Sequence, residues 1–468
     1  MISFSLVYLG VFSLIISILS FFNIIYSYYF NLYLNLDCYV FALIVSTIIG
    51  FSFLIKQKKV LKVNIYQKIL TVIFGYIFLP LIISIPYYFS IYNISFIDAF
   101  FESISGFTST GFSIFTNIKH IDESLILWRS SSQWIGGLYF LFSIILLIDI
   151  FDNNLKKTLT NFLSFNKSET LKQFYKVLIL YGLLTLGIFI VLEIFNFRTF
   201  NSFNLAMTLI SSGGFLPVNN LSIILNTNIK EVIFSFMMLI SFFSIFLTYN
   251  LIFIKNKNIN FFQEDILLFF YFIFLIIVFF LLFNFDYNFS VIFLSLASSV
   301  SNIGHSLNES PQNLSFIFLI VTIIGGSFFS TSSGVRFLKF YILFKFAIND
   351  LSFHVRPKNI SPYKHFLLDI SFEKLEVYKY FLSLLVFIIS FFILTSLLSI
   401  AGISFEDSFK LSILTIMNTV NSPMYGLADF NFSELQFYTK CFFIIFMIIG
   451  RVELLTLLIF LKKFLFKN

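Results

Sequence analysis

This sequence predicts an all-α polytopic membrane protein. Ten transmembrane helices are expected, the last eight forming four helix–re-entrant pore loop–helix repeats around one pore, with two extra N-terminal helices outside the repeats. Three observations carry the prediction. Of 468 residues, 59% are hydrophobic and only 11% charged, a balance foreign to soluble domains. Lysine-rich and lysine-poor connections alternate along the chain, as the positive-inside rule requires of successive spans. Four short stretches rich in hydroxyl residues, three of them with glycine, interrupt the apolar runs at intervals of roughly a hundred residues.

The elements follow in order. Residues 4–30 are apolar for too long to be a signal-peptide core and lack a basic start or a small-residue cleavage site, so they read as a first span. The second covers 38–55. Lys56, Lys58, Lys59, Lys62 and Lys68 follow it, which places this loop and the N-terminus in the cytoplasm. These two helices and their loop make up residues 1–68. The first pore repeat, 69–172, contains spans at 69–91 and 125–150, and its inner loop carries Lys156, Lys157, Lys167 and Lys172. Within the second span, Gly136-Gly137 suits close helix approach. The second repeat, 173–262, has spans at 177–195 and 232–254 and ends on Lys255 and Lys257. The third, 263–376, has a span at 266–283 and another that begins near Leu314 and is interrupted at its centre; Lys345, Arg356, Lys358 and Lys364 follow. The fourth, 377–468, has spans at 380–398 and 437–461 and closes on Lys462, Lys463 and Lys467, so the C-terminus is also expected inside.

The stretch from Phe101 to Phe112 ends in Thr108-Ser109-Thr110-Gly111 and lies between two apolar spans. Irregular backbone at membrane depth survives only where it lines water or is buried in protein. A half-membrane helix ending in such a turn presents carbonyls and a negative dipole end to a cation. Similar stretches cover 203–215, 293–305 and 409–422. With the turns aligned, the pairs Phe101-Glu102, Phe203-Asn204, Leu294-Ser295 and Leu411-Ser412 fall at equivalent places.

Other features exclude function classes. Cys38 and Cys441 sit in apolar surroundings and make no disulfide framework. His120, His305, His354 and His365 show no ligand spacing, and His305 reads as an outer-mouth residue. The net charge of +7 reflects lysines placed by topology, which gives no footprint for nucleic acid. The 73 phenylalanines read as codon bias rather than as a pore lining. A membrane-embedded enzyme needs clustered acids, histidine or a nucleophile–base pair, and no such cluster is readable. Asp98, Glu102, Asp122, Glu123, Glu309, Glu406, Asp407, Asp429 and Glu434 fall on or near the outer side. They read either as a cation-concentrating acidic vestibule or as the consequence of keeping bases inside.

Ser105-Gly106-Phe107-Thr108-Ser109-Thr110-Gly111, Ser211-Ser212-Gly213-Gly214-Phe215, the run from Gly325 to Gly334 and Gly450-Arg451-Val452-Glu453-Leu454 together resemble the potassium-transporter superfamily that includes TrkH and KtrB. The two extra N-terminal helices place the resemblance in the TrkH-like branch. It implies a homodimer with one pore per subunit, potassium uptake across the plasma membrane, and a K+ filter of backbone carbonyls at Thr110, Gly111, Ser212, Gly213, Ile303, Gly304, Val420 and Asn421. Gly111, Gly213 and Gly304 match the filter glycines, whereas Asn421 falls at the fourth. In plant relatives a serine at the first filter position goes with sodium preference; Gly111 stands there and argues for potassium. Asn421 tolerates left-handed backbone but opens a second reading, a sodium-permeable or poorly selective transporter of the same fold.

The resemblance further implies that Gly325, Gly326, Ser327, Ser330, Thr331, Ser332, Ser333 and Gly334 form an intramembrane gating loop. Their glycines and hydroxyls disfavour continuous helix, though a close helix-packing seam has the same composition. Arg451 is a charge inside an apolar helix, which is costly. It fits a carbonyl or hydroxyl of that loop, a fixed charge below the filter, or a salt bridge to Glu453. No cofactor is expected in this chain. The resemblance implies a separate, TrkA-like nucleotide-binding subunit in the cytoplasm, since no Walker or Rossmann glycine motif is readable here.

Overall fold

The computed structural model describes residues 3–55, 65–147, 170–247, 263–282, 287–355, 374–428 and 430–452. The lysine-rich inner loops, Asp429, Glu453 and the lysines near the C-terminus lie outside the described residues. Among the described residues there are helices and no strands. In chain order they are α1 (Ser3–Tyr29), α2 (Leu36–Ile55), α3 (Ile65–Phe89), α4 (Phe96–Phe107), α5 (Glu123–Leu147), α6 (Thr170–Ile194), α7 (Thr199–Ile210), α8 (Asn228–Phe242), α9 (Gln263–Leu282), α10 (Phe289–Val300), α11 (Ser315–Ile324), α12 (Phe337–Val355), α13 (Lys374–Ile400), α14 (Phe405–Ile416) and α15 (Phe437–Arg451).

Seven of these, α1, α2, α3, α5, α6, α9 and α13, are long and apolar enough to cross a membrane, and the chain is a multi-pass membrane protein. The other expected spans correspond to α8, to α11 with α12, and to α15. Two are broken by the chain itself. Helix α8 is left at Phe243 and Ser244, where Ser244 N–H donates to Asp265 Oδ1 (2.9 Å). Between α11 and α12 the chain is non-helical, with φ of +67° at Gly325 and +90° at Gly334, a region glycine enters freely.

Helices α4, α7, α10 and α14 are each 12 residues long. At 1.5 Å per residue that is about 18 Å, little more than half the hydrocarbon core. They enter partway and stop. Side-chain caps start two of them: the hydroxyls of Ser95 and Ser404 accept from the N–H groups of Asp98 and Asp407. Each short helix packs on the long helix that precedes it: α3 on α4, α6 on α7, α9 on α10, α13 on α14. The four units close a ring, because α5 meets α7, α8 meets α10, α11 meets α14, and α15 returns to α4. Lys440 of α15, almost fully buried, pairs with Asp98 of α4 at 2.5 Å across the closing seam. Helices α1 and α2 form a hairpin outside the ring, against α3 and, through α1, α5.

Candidate functional site

All four short helices end in the same backbone device. Ser109, Ser212, Asn302 and Asn418 take left-handed φ angles of +55°, +53°, +57° and +48°. The next residue in each case, Thr110, Gly213, Ile303 or Thr419, donates its N–H five residues back, to Ser105, Thr208, Ser298 and Leu414 (2.7–3.1 Å). This is a Schellman cap, and it fixes the register of the four turns independently of where glycine falls. One residue further on stand Gly111, Gly214, Gly304 and Val420.

These four residues meet. A Cβ on Gly111 would lie 2.5 Å from the Gly214 Cα, one on Gly214 2.4 Å from the Val420 Cβ, and one on Gly304 2.5 Å from the Val420 carbonyl oxygen. Such approaches are open only to glycine. The register differs from the one read by spacing at two turns. Gly214, not Gly213, takes the place of Gly111 and Gly304, and Val420, not Asn421, is the fourth. Gly213 is needed for another reason: a Cβ there would lie 2.2 Å from Gln133 Oε1, which accepts from Phe215 N–H at 3.2 Å. Asn421 lies past the turn and donates Nδ2 to the Leu427 carbonyl (3.0 Å). The aligned polar residues shift too: the helix position of Glu102 and Ser295 holds Leu205 and Leu411 in the other two helices.

Among the described residues, none donates a hydrogen bond to the carbonyls of Thr110, Gly111, Ser212, Gly213 or Gly304. Buried carbonyls are otherwise nearly always satisfied. The Ile303 carbonyl differs, since it accepts from Val420 N–H at 3.3 Å. Four helix C-termini point the negative ends of their dipoles at this place. Unbonded carbonyls and converging dipoles together suit a dehydrated monovalent cation. No group of three or more His, Cys, Asp or Glu able to hold a metal occurs among the described residues.

A cavity of about 720 Å³ opens outward from the turns, with Gly111, Gly214 and Val420 on its wall. Its polar lining is mostly amide and hydroxyl, with Asn219, Asn220, Asn308, Gln312, Asn421 and Ser422, set among apolar residues such as Phe115, Phe215 and Phe430. The described carboxylates do not line it. Asp98 pairs with Lys440, Glu123 with Arg198, and Glu406 with Lys410, while Asp122 accepts from Asn35 Nδ2 (2.6 Å). Among the described residues the wall therefore carries no carboxylate, and Arg129 is its one fixed charge. Buried His305 lines this cavity.

Arg129 is a site residue the sequence reading missed. Its Nε pairs with Glu102 Oε1 at 2.8 Å, both side chains being buried, and its guanidinium lies 4.1 Å from the Phe215 ring centroid. Glu102 Oε2 accepts from Ile114 N–H (2.9 Å), and Ser113 Oγ joins both partners. The pair therefore ties the chain leaving the first turn to α4 and α5. Its only sequence signal was a polar residue inside each of two apolar helices, at spots that read as interfacial.

Beneath the turns lies the segment from Gly325 to Gly334. Its neck is tight: a Cβ on Gly334 would come 2.6 Å from the Gly325 Cα. Arg336 Nη1 holds it from within through the carbonyls of Ser327 (2.9 Å) and Ser332 (2.7 Å). The break in α8 receives it: Ser327 N–H donates to the Phe242 carbonyl and Ser332 N–H to the Ser241 carbonyl (3.0 and 3.2 Å). Glu264 Oε1 accepts from Phe328 N–H at 2.8 Å. At its tip, Thr331 Oγ1 donates to the Ile210 carbonyl (2.7 Å), directly under the second turn. Arg451 is fully buried. Its Nε donates to the Thr108 carbonyl at the first helix cap and its Nη1 to the Thr331 carbonyl (2.9 Å). Its guanidinium rests 4.5 Å from the Phe140 ring centroid, with that of Arg336 at 5.1 Å. The structure thus brings Arg451, the segment's tip and the first turn together.

No protein-family model matches the chain. The chain is 25% identical over 410 residues to an uncharacterized cation transporter of Methanocaldococcus jannaschii, covering 82% of this chain and 80% of that one. It is 24% identical over 399 residues to the Trk system potassium uptake protein TrkG of Escherichia coli, covering 80% of each, and 24% identical over 392 residues to TrkH of the same organism, covering 78% and 79%. The crystal structure of the potassium transporter TrkH from Vibrio parahaemolyticus superposes with a TM-score of 0.82 at 19% identity, covering 98% of both chains. In sequence over about four-fifths of its length, and in fold over nearly all of it, the chain resembles the Trk proteins, TrkH among them.

Proposed function

We propose that this chain takes up potassium across the cell membrane through a gated, channel-like pore. The carrying observation is the set of four half-membrane helices with identical caps, whose unbonded carbonyls surround one narrow place below an outward-facing cavity. Carbonyl oxygens replace the hydration shell of a potassium ion at low cost, since the turns are already built. The names of the relatives agree: they are potassium uptake proteins and a cation transporter, not enzymes. Ion ligands in this reading are the carbonyls of Thr110, Gly111, Ser212, Gly213 and Gly304. The segment Gly325–Gly334 is the gate, and Arg451 is the latch that holds its tip against the first turn.

The resemblance supports further parts of the reading. The protein would work as a homodimer in the plasma membrane, with both termini cytoplasmic. Its gate would answer to a separate cytoplasmic nucleotide-binding subunit. A test is growth of a bacterium stripped of its own potassium uptake on low-potassium medium. The chain should restore growth, and Gly304→Ala, whose Cβ strikes the Val420 carbonyl, should not. If a membrane-inserted chain fails to restore growth even with Arg451→Ala releasing the latch, the reading is wrong. A second reading, a poorly selective monovalent-cation pathway, is favoured by one observation, Val420 among the glycines.

A further inference from the structure

Within the pore reading, on which this inference rests, we infer that Val420 is a selectivity- and flux-determining residue, an apolar bar across the filter. The shared cap register places Gly111, Gly214, Gly304 and Val420 at one level. Around the ring the repeats follow in order: α5 meets α7, α8 meets α10, α11 meets α14, and α15 meets α4. The second and fourth turns therefore face each other across the pore axis. A Cβ on Gly214 would lie 2.4 Å from the Cβ of Val420 and about as close to both its methyl groups (3.0 and 3.1 Å). The isopropyl group thus reaches across the axis to the opposite turn.

It also reaches sideways. A Cβ on Gly304 would meet Val420 Cγ1 at 2.9 Å. Three turns offer backbone alone at this level, and the fourth adds three side-chain carbon atoms to its backbone. Two consequences follow. The bar removes polar surface where a dehydrated ion most needs it, because carbon cannot replace lost water. In addition, Val420 N–H bonds the Ile303 carbonyl at 3.3 Å, so the oxygen just below the third glycine is engaged by protein rather than free for an ion. Passage then requires the Val420 side chain to swing aside. The Val420 carbonyl itself accepts no bond among the described residues, but carbon stands beside it, so discrimination between potassium and sodium by oxygens is weakened on that side.

The bar is built in rather than incidental. Val420 is nearly buried, and its turn is pinned from both directions. Asn418 Nδ2 bonds Thr110 Oγ1 (3.0 Å) and the Met447 carbonyl (2.9 Å), and Asn421 Nδ2 bonds the Leu427 carbonyl. Its neighbour Thr419 accepts from Asn302 Nδ2 at 3.4 Å. The turn cannot easily rotate the side chain out of the pore as a unit, so the movement falls to the valine rotamer itself, which β-branching makes stiff.

The test uses the full chain in proteoliposomes, with Rb+ and Na+ uptake measured separately under an imposed voltage. Wild type, Val420→Gly, Val420→Ala and Val420→Leu are compared, each also in an Arg451→Ala background. Val420→Gly should raise Rb+ uptake about tenfold or more and raise the Rb+/Na+ ratio. Val420→Ala should fall between, and Val420→Leu should lower both fluxes. Thermal melting of each variant separates a pore effect from misfolding, and the alanine variant keeps the test alive if glycine unfolds the turn. Rb+ uptake and Rb+/Na+ ratio unchanged within twofold in folded Val420→Gly and Val420→Ala overturn the inference and leave the pore reading standing. Absence of any uptake above protein-free vesicles in every folded variant overturns the pore reading, and the inference with it.

Discussion

Arg451→Ala should open the pore. The side chain makes one hydrogen bond that crosses from α15 to the segment's tip, Nη1 to the Thr331 carbonyl at 2.9 Å, and one to the first helix cap, at Thr108. A hydrogen bond from a charged group contributes about 1.5–3 kcal/mol. Only the Thr331 bond restrains the segment, so about that much is removed from its closed position. Other holds, at Arg336, Glu264, Ile210, Phe242 and Ser241, are untouched. The open fraction should therefore rise about tenfold to a hundredfold. Loss of a positive charge beneath the turns acts in the same direction, since it ceases to repel an arriving cation. Arg451→Lys keeps the charge but offers a shorter, unforked donor, so it should leak less than alanine. The assay is Rb+ uptake into proteoliposomes, with melting temperature as the control for folding. Uptake unchanged or reduced in a folded Arg451→Ala protein would show that the segment is not held shut by this residue.

Other consequences can be checked alongside. Glu264→Ala removes the acceptor of Phe328 N–H and should also raise basal uptake, by about fivefold if the bond contributes about 1 kcal/mol; a tighter pore in the flux assay would contradict this. Arg129→Met leaves Glu102 buried without its partner and should lower stability by about 3–5 kcal/mol, read as a drop in melting temperature, whereas Arg129→Met with Glu102→Leu together should recover much of it. Gly213→Ala should destabilise by collision with Gln133 and be relieved by Gln133→Ser, a rescue that would not occur if Gly213 served only as an ion ligand. Asn421→Gly removes the bond to Leu427 and should leave the Rb+/Na+ ratio unchanged, because this residue lies beyond the ring.

Much of this arrangement could be read from residue types. The four hydroxyl-rich stretches do end short helices, and Gly325–Gly334 does leave the helix, at glycines whose positive φ suits only glycine without strain. The register of two turns could not be read, for a physical reason. The cap sets the register through left-handed residues that are serine or asparagine here, not glycine, and two adjacent glycines at 213 and 214 leave the spacing ambiguous by one. In the fourth turn, Asn421 imitates the left-handed preference that Asn418 actually satisfies. For the outer acids, sequence gives a side of the membrane but not the partners: Lys440, Arg198 and Lys410 pair with three of them. The break in α8 carries neither glycine nor proline. It is created by Asp265 and the docked segment, both distant in sequence.

The most direct measurement is voltage-driven Rb+ uptake by Arg451→Ala protein in proteoliposomes, with K+ as competitor. The account predicts uptake that K+ suppresses and that Gly304→Ala abolishes in the same background. No uptake by the folded, unlatched protein, or uptake indifferent to both K+ and Gly304→Ala, would contradict a potassium pathway through the four turns.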